Sequence, residues 1–178
     1  MILIIDDPDT HGLIMKRVIK DLTDLDADIW PLLDDPSPDQ VYDSLTELLI
    51  QRPNYKFLLL PWICQLDHTV DKLVHDLCEL YTCIGCMGNQ GPGSGPFSPR
   101  PHPKLARIGC WNKLHRPIRQ STPGEPDTIW VVGTSYHIDN EIHYGSSIAA
   151  AIYTAYQAQG WDYTEWNTKN KLLTNTPL

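Results

Sequence analysis

The sequence predicts an α/β fold of three layers, in which a doubly wound, mostly parallel sheet carries helices on both faces. Three observations lead to this class. Short apolar runs alternate with amphipathic segments over the first hundred residues, no internal repeat interrupts them, and 178 residues suffice for one core. Alternating strands and helices need right-handed crossovers, which place the helices on the faces of a parallel sheet.

The elements follow from the spacing of apolar residues. Runs rich in β-branched and other apolar residues predict strands at 2–6, 27–33, 56–63, 81–87, 105–110 and 127–132. Apolar residues at helical spacing predict helices at 10–22, 37–51, 66–80 and 146–159; the second begins at Ser37 or Pro38, and Gly160 ends the last. We expect one domain, 1–160, and a C-terminal tail, 161–178, packed on or near it.

Composition narrows the classes of function. The formal charge of −8 and the lack of a basic cluster argue against a nucleic-acid partner. No apolar run approaches the length of a membrane span, and no signal sequence opens the chain, so we expect a cytoplasmic protein without a membrane partner. Five irregularly spaced cysteines favour a reducing compartment over a disulfide framework.

The segment 143–152 is the most informative part of the chain, because a small-residue helix starts directly after a glycine turn. Ser147 falls in the first helical turn, where backbone N–H groups lack intrahelical partners and the helix dipole is positive. That position suits a nucleophile whose attack creates a negative oxygen. The alternative is that Ser146 or Ser147 only caps the helix.

Two further groups occupy the start of the chain. Asp6 ends the first predicted strand, and His11 begins the first helix five residues later. A carboxylate that orients an imidazole, which in turn takes a hydroxyl proton, is what a serine hydrolase needs. Asp7 and Asp9 compete for the carboxylate role, and local capping around His11 is the alternative.

Asn89 follows the fourth predicted strand and heads a glycine-rich loop. Its amide could donate to a developing oxyanion, or it could simply be a turn residue. The loop 88–95 could also be a phosphate loop, although it lacks the Gly-Lys-Ser/Thr ending.

Two sets of potential metal ligands have simpler interpretations. Cys83 and Cys86 have the C-x-x-C spacing, but a second ligand pair is missing, which favours core cysteines. His137 and His143, with Asp139 and Glu141 nearby, could bind a metal but fit a solvated loop better. We therefore expect neither a metal nor a cofactor.

The order Asp, His, Asn, Ser along an alternating α/β chain resembles the subtilisin-like serine proteases (subtilases). The resemblance covers residues 2–160. The segments that carry it are Ile4-Ile5-Asp6-Asp7, Thr10-His11-Gly12, Cys86-Met87-Gly88-Asn89-Gln90-Gly91, residues 103–109, Val131-Val132-Gly133 and residues 144–150.

The resemblance implies catalytic roles for four residues. Ser147 would be the nucleophile, His11 the general base and then acid, Asp6 the orienting carboxylate, and Asn89 the oxyanion donor. Ser135, in Gly133-Thr134-Ser135, matches the family's Gly-Thr-Ser string better than Ser147 does. It is rejected because a poor helix start follows it.

Two departures from the family pattern concern the spacing of the catalytic pair and the binding of substrate. The excursion between the Asp and His segments shrinks to four residues, and the substrate strand reads Leu60-Pro61-Trp62-Ile63-Cys64. Pro61 removes a backbone donor that could pair with a peptide, and Trp62 would fill or reshape the adjacent pocket. Pro61, Trp62 and Gly88 are the expected substrate-binding residues.

The expected function is therefore that of a compact serine endopeptidase, of an intracellular or phage-encoded type, acting on peptide or protein substrates. No pro-segment is visible, so narrow specificity, an inhibitory or processing partner, or the tail would restrain it. Two alternatives stay open: a catalytically silent interaction module with the same fold, and a flavodoxin-like domain that binds a phosphorylated ligand.

Overall fold

The computed structural model describes residues 1–33, 35–91, 96–112, 128–133, 136–138 and 140–160. Strands and helices alternate through most of these ranges. In chain order the elements are β1 (Ile2–Asp6), α1 (His11–Thr23), β2 (Ala27–Pro31), α2 (Pro38–Gln51), β3 (Phe57–Leu60), β4 (Cys64–Gln65), α3 (His68–Leu80), β5 (Thr82–Cys86), β6 (Phe97–Ser98), β7 (Leu105–Trp111), β8 (Ile129–Val132), β9 (Tyr136–Ile138), β10 (Glu141–His143) and α4 (Ser146–Ala158).

Six strands form the central sheet in the order β2-β1-β3-β5-β7-β8, and every neighbouring pair is parallel. In this register Ile4 of β1 lies opposite Ile29 on one side and Leu59 on the other. The strands bury both faces because helices cover both, which explains their continuous apolar runs. The predicted fold class, a parallel sheet between two helical layers, is confirmed.

The sheet separates two hydrophobic clusters because successive strand residues point to opposite faces. Ile4 of β1 belongs to the cluster that also contains Val18 of α1 and Ala151 of α4. Leu3, one residue earlier, belongs to the cluster formed with α2 and α3. Helices α1 and α4 therefore share one face of the sheet, and α2 and α3 share the other.

Local signals in the sequence account for the helix starts on the second face. Ser37 caps α2 through a capping box with Gln40, and Pro38 occupies its first turn. The Asp67 carboxylate caps α3 by accepting hydrogen bonds from the N–H groups of Thr69 and Val70. The predicted start of α2 is therefore confirmed, whereas α3 begins two residues later than predicted.

Several short elements differ from the prediction. The strand predicted at 56–63 ends at Leu60, because Pro61 cannot donate to the ladder. The chain then forms a second, antiparallel ladder in which β4 pairs with β6, and a third in which β9 pairs with β10. The predicted tail, 161–178, lies outside the described residues.

All five cysteines are free thiols buried in the core. Cys83 and Cys86 stand three residues apart on β5, so their side chains point to opposite faces of the sheet and join different clusters. This arrangement separates the two sulfurs of the C-x-x-C motif. No helix in the described part of the chain has the length and apolar character needed to cross a bilayer.

Burial raises the pKa of the Cys86 thiol to about 11. A thiol whose pKa is higher in the folded than in the unfolded chain makes its full contribution to stability when the pH is below its pKa in the unfolded chain. That contribution is lost as the pH rises through the pKa of the thiol in the folded protein. We expect the Cys86 thiol to lower the free energy of unfolding by on the order of 2 kcal/mol as the pH rises from about 7.5 to about 10.5.

Urea unfolding at both pH values measures this loss in the wild-type protein and in Cys86→Ala. The loss should be smaller in Cys86→Ala, because the variant has no thiol to ionise at that position. An equal loss in the two proteins would show that the Cys86 thiol is not the group responsible.

Candidate active site

A cleft opens at the carboxyl ends of the central strands, where β2 and β3 lie on opposite sides of β1. Such a point, where the strand order reverses, is where parallel sheets place their ligand sites. The cleft has a volume of about 190 Å³. The residues that line it are Asp6, His11, Asp35, Pro36, Pro61, Trp62, Ile63, Cys86, Gly88, Asn89, Gln90 and Ser147.

Asp6 and His11 approach each other at one side of this cleft. His11 Nδ1 lies 2.6 Å from Asp6 Oδ2, and the exposed fractions of the two side chains are 32% and 5%. The second carboxylate oxygen of Asp6 accepts a hydrogen bond of 2.9 Å from the N–H of Asp7. The carboxylate is therefore buried and fixed, while the imidazole reaches the surface of the cleft.

The neighbouring aspartate, Asp7, closes the turn instead. Its carboxylate accepts hydrogen bonds from the Thr10 hydroxyl and the Asp9 N–H, which hold the pKa of the Asp7 carboxyl below its usual value. Of the three candidate carboxylates, Asp6 is therefore the one that contacts the imidazole of His11 at 2.6 Å.

A close backbone approach makes the four-residue connection between Asp6 and His11 possible. The N–H of Gly12 donates to the carbonyl oxygen of Asp7 at 2.9 Å. A Cβ atom on Gly12 would lie only 2.5 Å from that oxygen, so a side chain there would force the turn apart. Gly12 thus allows a turn short enough to bring the carboxylate and the imidazole together.

Ser147 faces His11 from the first turn of α4. Its Oγ lies 3.1 Å from Nε2 of His11, and the serine is 7% exposed. Gly145 is the N-cap of this helix with φ of 132°, and no side chain caps the helix. The capping alternative therefore fails for both serines, and Ser146 is fully buried.

Asn89 binds the same helix start from the loop after β5. Its Oδ1 accepts a hydrogen bond of 3.0 Å from the N–H of Ser146. A Cβ atom on Gly145 would lie 2.7 Å from Nδ2 of Asn89, so the glycine leaves the space that the amide occupies. Since Oδ1 is engaged with the backbone, Nδ2 is the donor side of this amide.

The sequence-predicted binding residues Pro61, Trp62 and Gly88 all line the cleft. Pro61 and Trp62 are both buried, and Trp62 packs in the cluster on the side of α2 and α3. Ile63 also lines the cleft. Sequence reasoning did not single out Ile63. Its position directly after Trp62, in the segment 60–64 that differs from the family pattern, was a usable signal.

The remaining candidates lie away from this cleft or outside the described residues. Glu141 and His143 belong to strand β10, with 3.9 Å between Oε2 and Nε2. Ser135 and Asp139 lie outside the described residues, as do residues 92–95 of the glycine-rich loop. Among the described residues, no group of three or more His, Cys, Asp or Glu side chains is arranged to hold a metal ion.

No protein-family model matches the sequence, and no curated protein sequence matches it. Solved structures do match, and they define the class of fold: this chain has the fold of the subtilisin-like serine proteases. A cold adapted subtilisin-like serine proteinase has a TM-score of 0.65 and 14% identity, with 76% of this chain and 54% of that chain covered.

Two further similar structures are more nearly the size of this chain. The prenylagaramide maturation protease PagA has a TM-score of 0.64 and 14% identity, with 91% of this chain and 78% of that chain covered. A lanthipeptide protease has a TM-score of 0.63 and 13% identity, with 86% and 70% covered. At these identities the likeness establishes the fold.

Proposed function

We propose that this protein is a serine endopeptidase that hydrolyses peptide bonds through Asp6, His11 and Ser147. The observation that carries the proposal is the continuous line of contacts from Asp6 Oδ2 to His11 Nδ1 at 2.6 Å and from His11 Nε2 to Ser147 Oγ at 3.1 Å. A nucleophile, a base within reach of it and a third group that orients the base are the parts that this chemistry requires. We assign the chemistry to residues 1–160.

The first half of the reaction forms an acyl-enzyme. Ser147 Oγ attacks the carbonyl carbon of the scissile bond, and His11 Nε2 takes the hydroxyl proton. The C–N bond then breaks as His11 returns that proton to the departing amine. Asp6 holds the Nδ1–H side of the ring, which keeps Nε2 free of a proton before the attack and stabilises the imidazolium that follows.

The second half regenerates the serine. His11 takes a proton from water, the resulting hydroxide equivalent attacks the ester carbonyl, and Ser147 leaves as its hydroxyl by recovering that proton. Each tetrahedral intermediate carries a negative oxygen, for which Asn89 Nδ2 and the N–H of Ser147 are the proposed donors. The helix start adds the positive end of the α4 dipole.

Peptides are the proposed substrates, without a metal or cofactor in the mechanism. Two of the similar structures are a maturation protease and a lanthipeptide protease, and a protease acts on peptide bonds. A cleft of about 190 Å³ fits a short, extended segment rather than a folded surface.

The test is covalent labelling of the folded protein with a fluorophosphonate, read by intact mass, alongside mass-spectrometric analysis of a peptide library after incubation. One adduct, mapped to Ser147, and time-dependent peptide cleavage are the expected results. A folded protein that gives neither adduct nor cleavage would contradict the proposal.

A non-catalytic interaction module is the second candidate, favoured by one observation. Pro61 is buried in the wall of the cleft and offers no N–H to an extended peptide. Tight peptide binding, measured by calorimetry, together with absent labelling would support this function over hydrolysis.

Replacing Asn89 with alanine is expected to lower kcat about 100- to 1000-fold, because one oxyanion donor is lost. KM should change little, since the donor acts mainly on the charge that develops during attack. Steady-state kinetics on a cleaved peptide measures both values. Asn89→Asp is the matched variant, and it should be no better than alanine because a carboxylate places negative charge beside the oxyanion. A kcat unchanged in both variants would rule out the proposed role.

A further inference from the structure

Ile63 closes one side of the cleft, in the segment that leaves β3. Its Cδ1 lies 2.4 Å from the point that a Cβ on Gly88 would occupy, and its Cγ1 lies 3.3 Å from the same point. The Ile63 side chain is partly buried and packs against the cluster formed by α1 and α4. The space beside Gly88 is therefore filled by a branched side chain that the core holds in place.

The filled space lies next to the proposed chemistry. Gly88 directly precedes Asn89, and Ile63, Gly88, Asn89 and Ser147 line one cleft. A carbonyl attacked by Ser147 must direct its oxygen toward the Asn89 amide. Because Gly88 directly precedes Asn89, a substrate side chain on the acyl side of the scissile bond would start beside Gly88 and border Ile63.

Little room remains between the described residues of the cleft. Gln90 Oε1 lies 2.6 Å from the same point beside Gly88, so a second side chain borders the space that Ile63 fills. The whole cleft has a volume of about 190 Å³, whereas pockets that enclose a drug-sized ligand measure about 300–1,000 Å³. An aromatic or long aliphatic side chain on the acyl side would overlap Ile63.

We propose that Ile63 is the specificity-determining residue of this site and restricts cleavage to bonds that follow glycine, alanine or serine. The inference rests on the proposed peptidase function and specifies its substrates. Trp62 precedes Ile63 but packs in the cluster on the side of α2 and α3, so the restriction is assigned to Ile63.

The test uses three covalent probes: a small fluorophosphonate and two peptidyl diphenyl phosphonates that carry either an alanine or a phenylalanine side chain next to phosphorus. Wild-type protein should react about tenfold or more faster with the alanine probe than with the phenylalanine probe. Ile63→Gly should lower the ratio of the alanine-probe rate to the phenylalanine-probe rate about tenfold. Ile63→Ala, which disturbs the backbone less, should show the same change in a smaller amount.

Ile50→Ala is the matched control, because Ile50 is 77% exposed on α2 and should leave both rates unchanged. Equal rates with the two peptidyl probes in the wild type, or an unchanged rate ratio in both Ile63 variants, would overturn this inference while leaving the peptidase function intact. Absence of the fluorophosphonate adduct on folded wild-type protein would overturn the peptidase function, and the inference with it.

Discussion

Ser147→Ala is expected to lose the fluorophosphonate adduct and to cleave peptides on the order of 10⁶-fold more slowly than the wild type. The reason is that the Oγ atom 3.1 Å from His11 Nε2 is the proposed nucleophile, and alanine has no atom to replace it. Binding and the oxyanion donors remain, so a small residual rate above that of water is expected. Intact mass measures the adduct, and peptide turnover measures the rate.

Ser135→Ala is the control for this experiment, because Ser135 is the other serine in a Gly-Thr-Ser-like context. It should keep the adduct and the turnover of the wild type. An adduct that persists on Ser147→Ala and disappears from Ser135→Ala would show that the nucleophile has been assigned to the wrong serine.

Asp6→Asn is expected to lower kcat by about 10⁴-fold while the protein stays folded. Asparagine has nearly the same shape, but its amide can present an N–H group to His11 Nδ1. The ring would then carry its proton on Nε2, the atom that must accept the proton of Ser147. Because Asp6 is only 3% exposed, water cannot easily replace the lost carboxylate.

Asp7→Asn is the matched control, since Asp7 is the adjacent residue and its carboxylate bonds to Thr10 and Asp9 rather than to His11. Asparagine keeps an acceptor oxygen there, so turnover should change less than about threefold. A similar loss of turnover in Asp6→Asn and Asp7→Asn would point to damage to the turn and would contradict an orienting role specific to Asp6. Circular dichroism and thermal unfolding of both variants check that the fold is retained.

The sequence was sufficient to predict the central architecture because the relevant signals are local. The first strand, 2–6, matches β1 in both bounds, and the capping residue Ser37 marks the start of α2. Buried parallel strands and amphipathic helices each leave a pattern in the order of apolar residues. The geometry also brings together the four side chains predicted for catalysis, while their catalytic roles stay predictions.

The short ladders were missed because strands of two or three residues have no measurable periodicity. β4 and β6 pair across more than thirty residues, and the hydroxyl of Ser98 links to the backbone of Asp67 at the start of α3. Such pairing depends on tertiary packing rather than on local preference. The contact of Ile63 with Gly88 also depends on tertiary packing, since it is made where two loops meet.

Strand order alone would not have separated the subtilisin-like fold from the flavodoxin-like alternative. When only the strands of the central sheet are numbered along the chain, β2-β1-β3-β5-β7 becomes the order 2-1-3-4-5. This is also the flavodoxin order. What differs is the chemistry at the reversal point. In this protein it holds a carboxylate, an imidazole and a serine hydroxyl.

The α1–α4 helix pair also links the proposed chemistry to the completion of folding. Asp6 and His11 are separated by a single turn, whereas His11 and Ser147 are separated by 136 residues along the chain. The proposed nucleophile therefore joins the acid–base pair only when α4 packs beside α1, which requires most of the chain to be present and folded. The proposed hydrolysis would then depend on the completed fold rather than on its first elements.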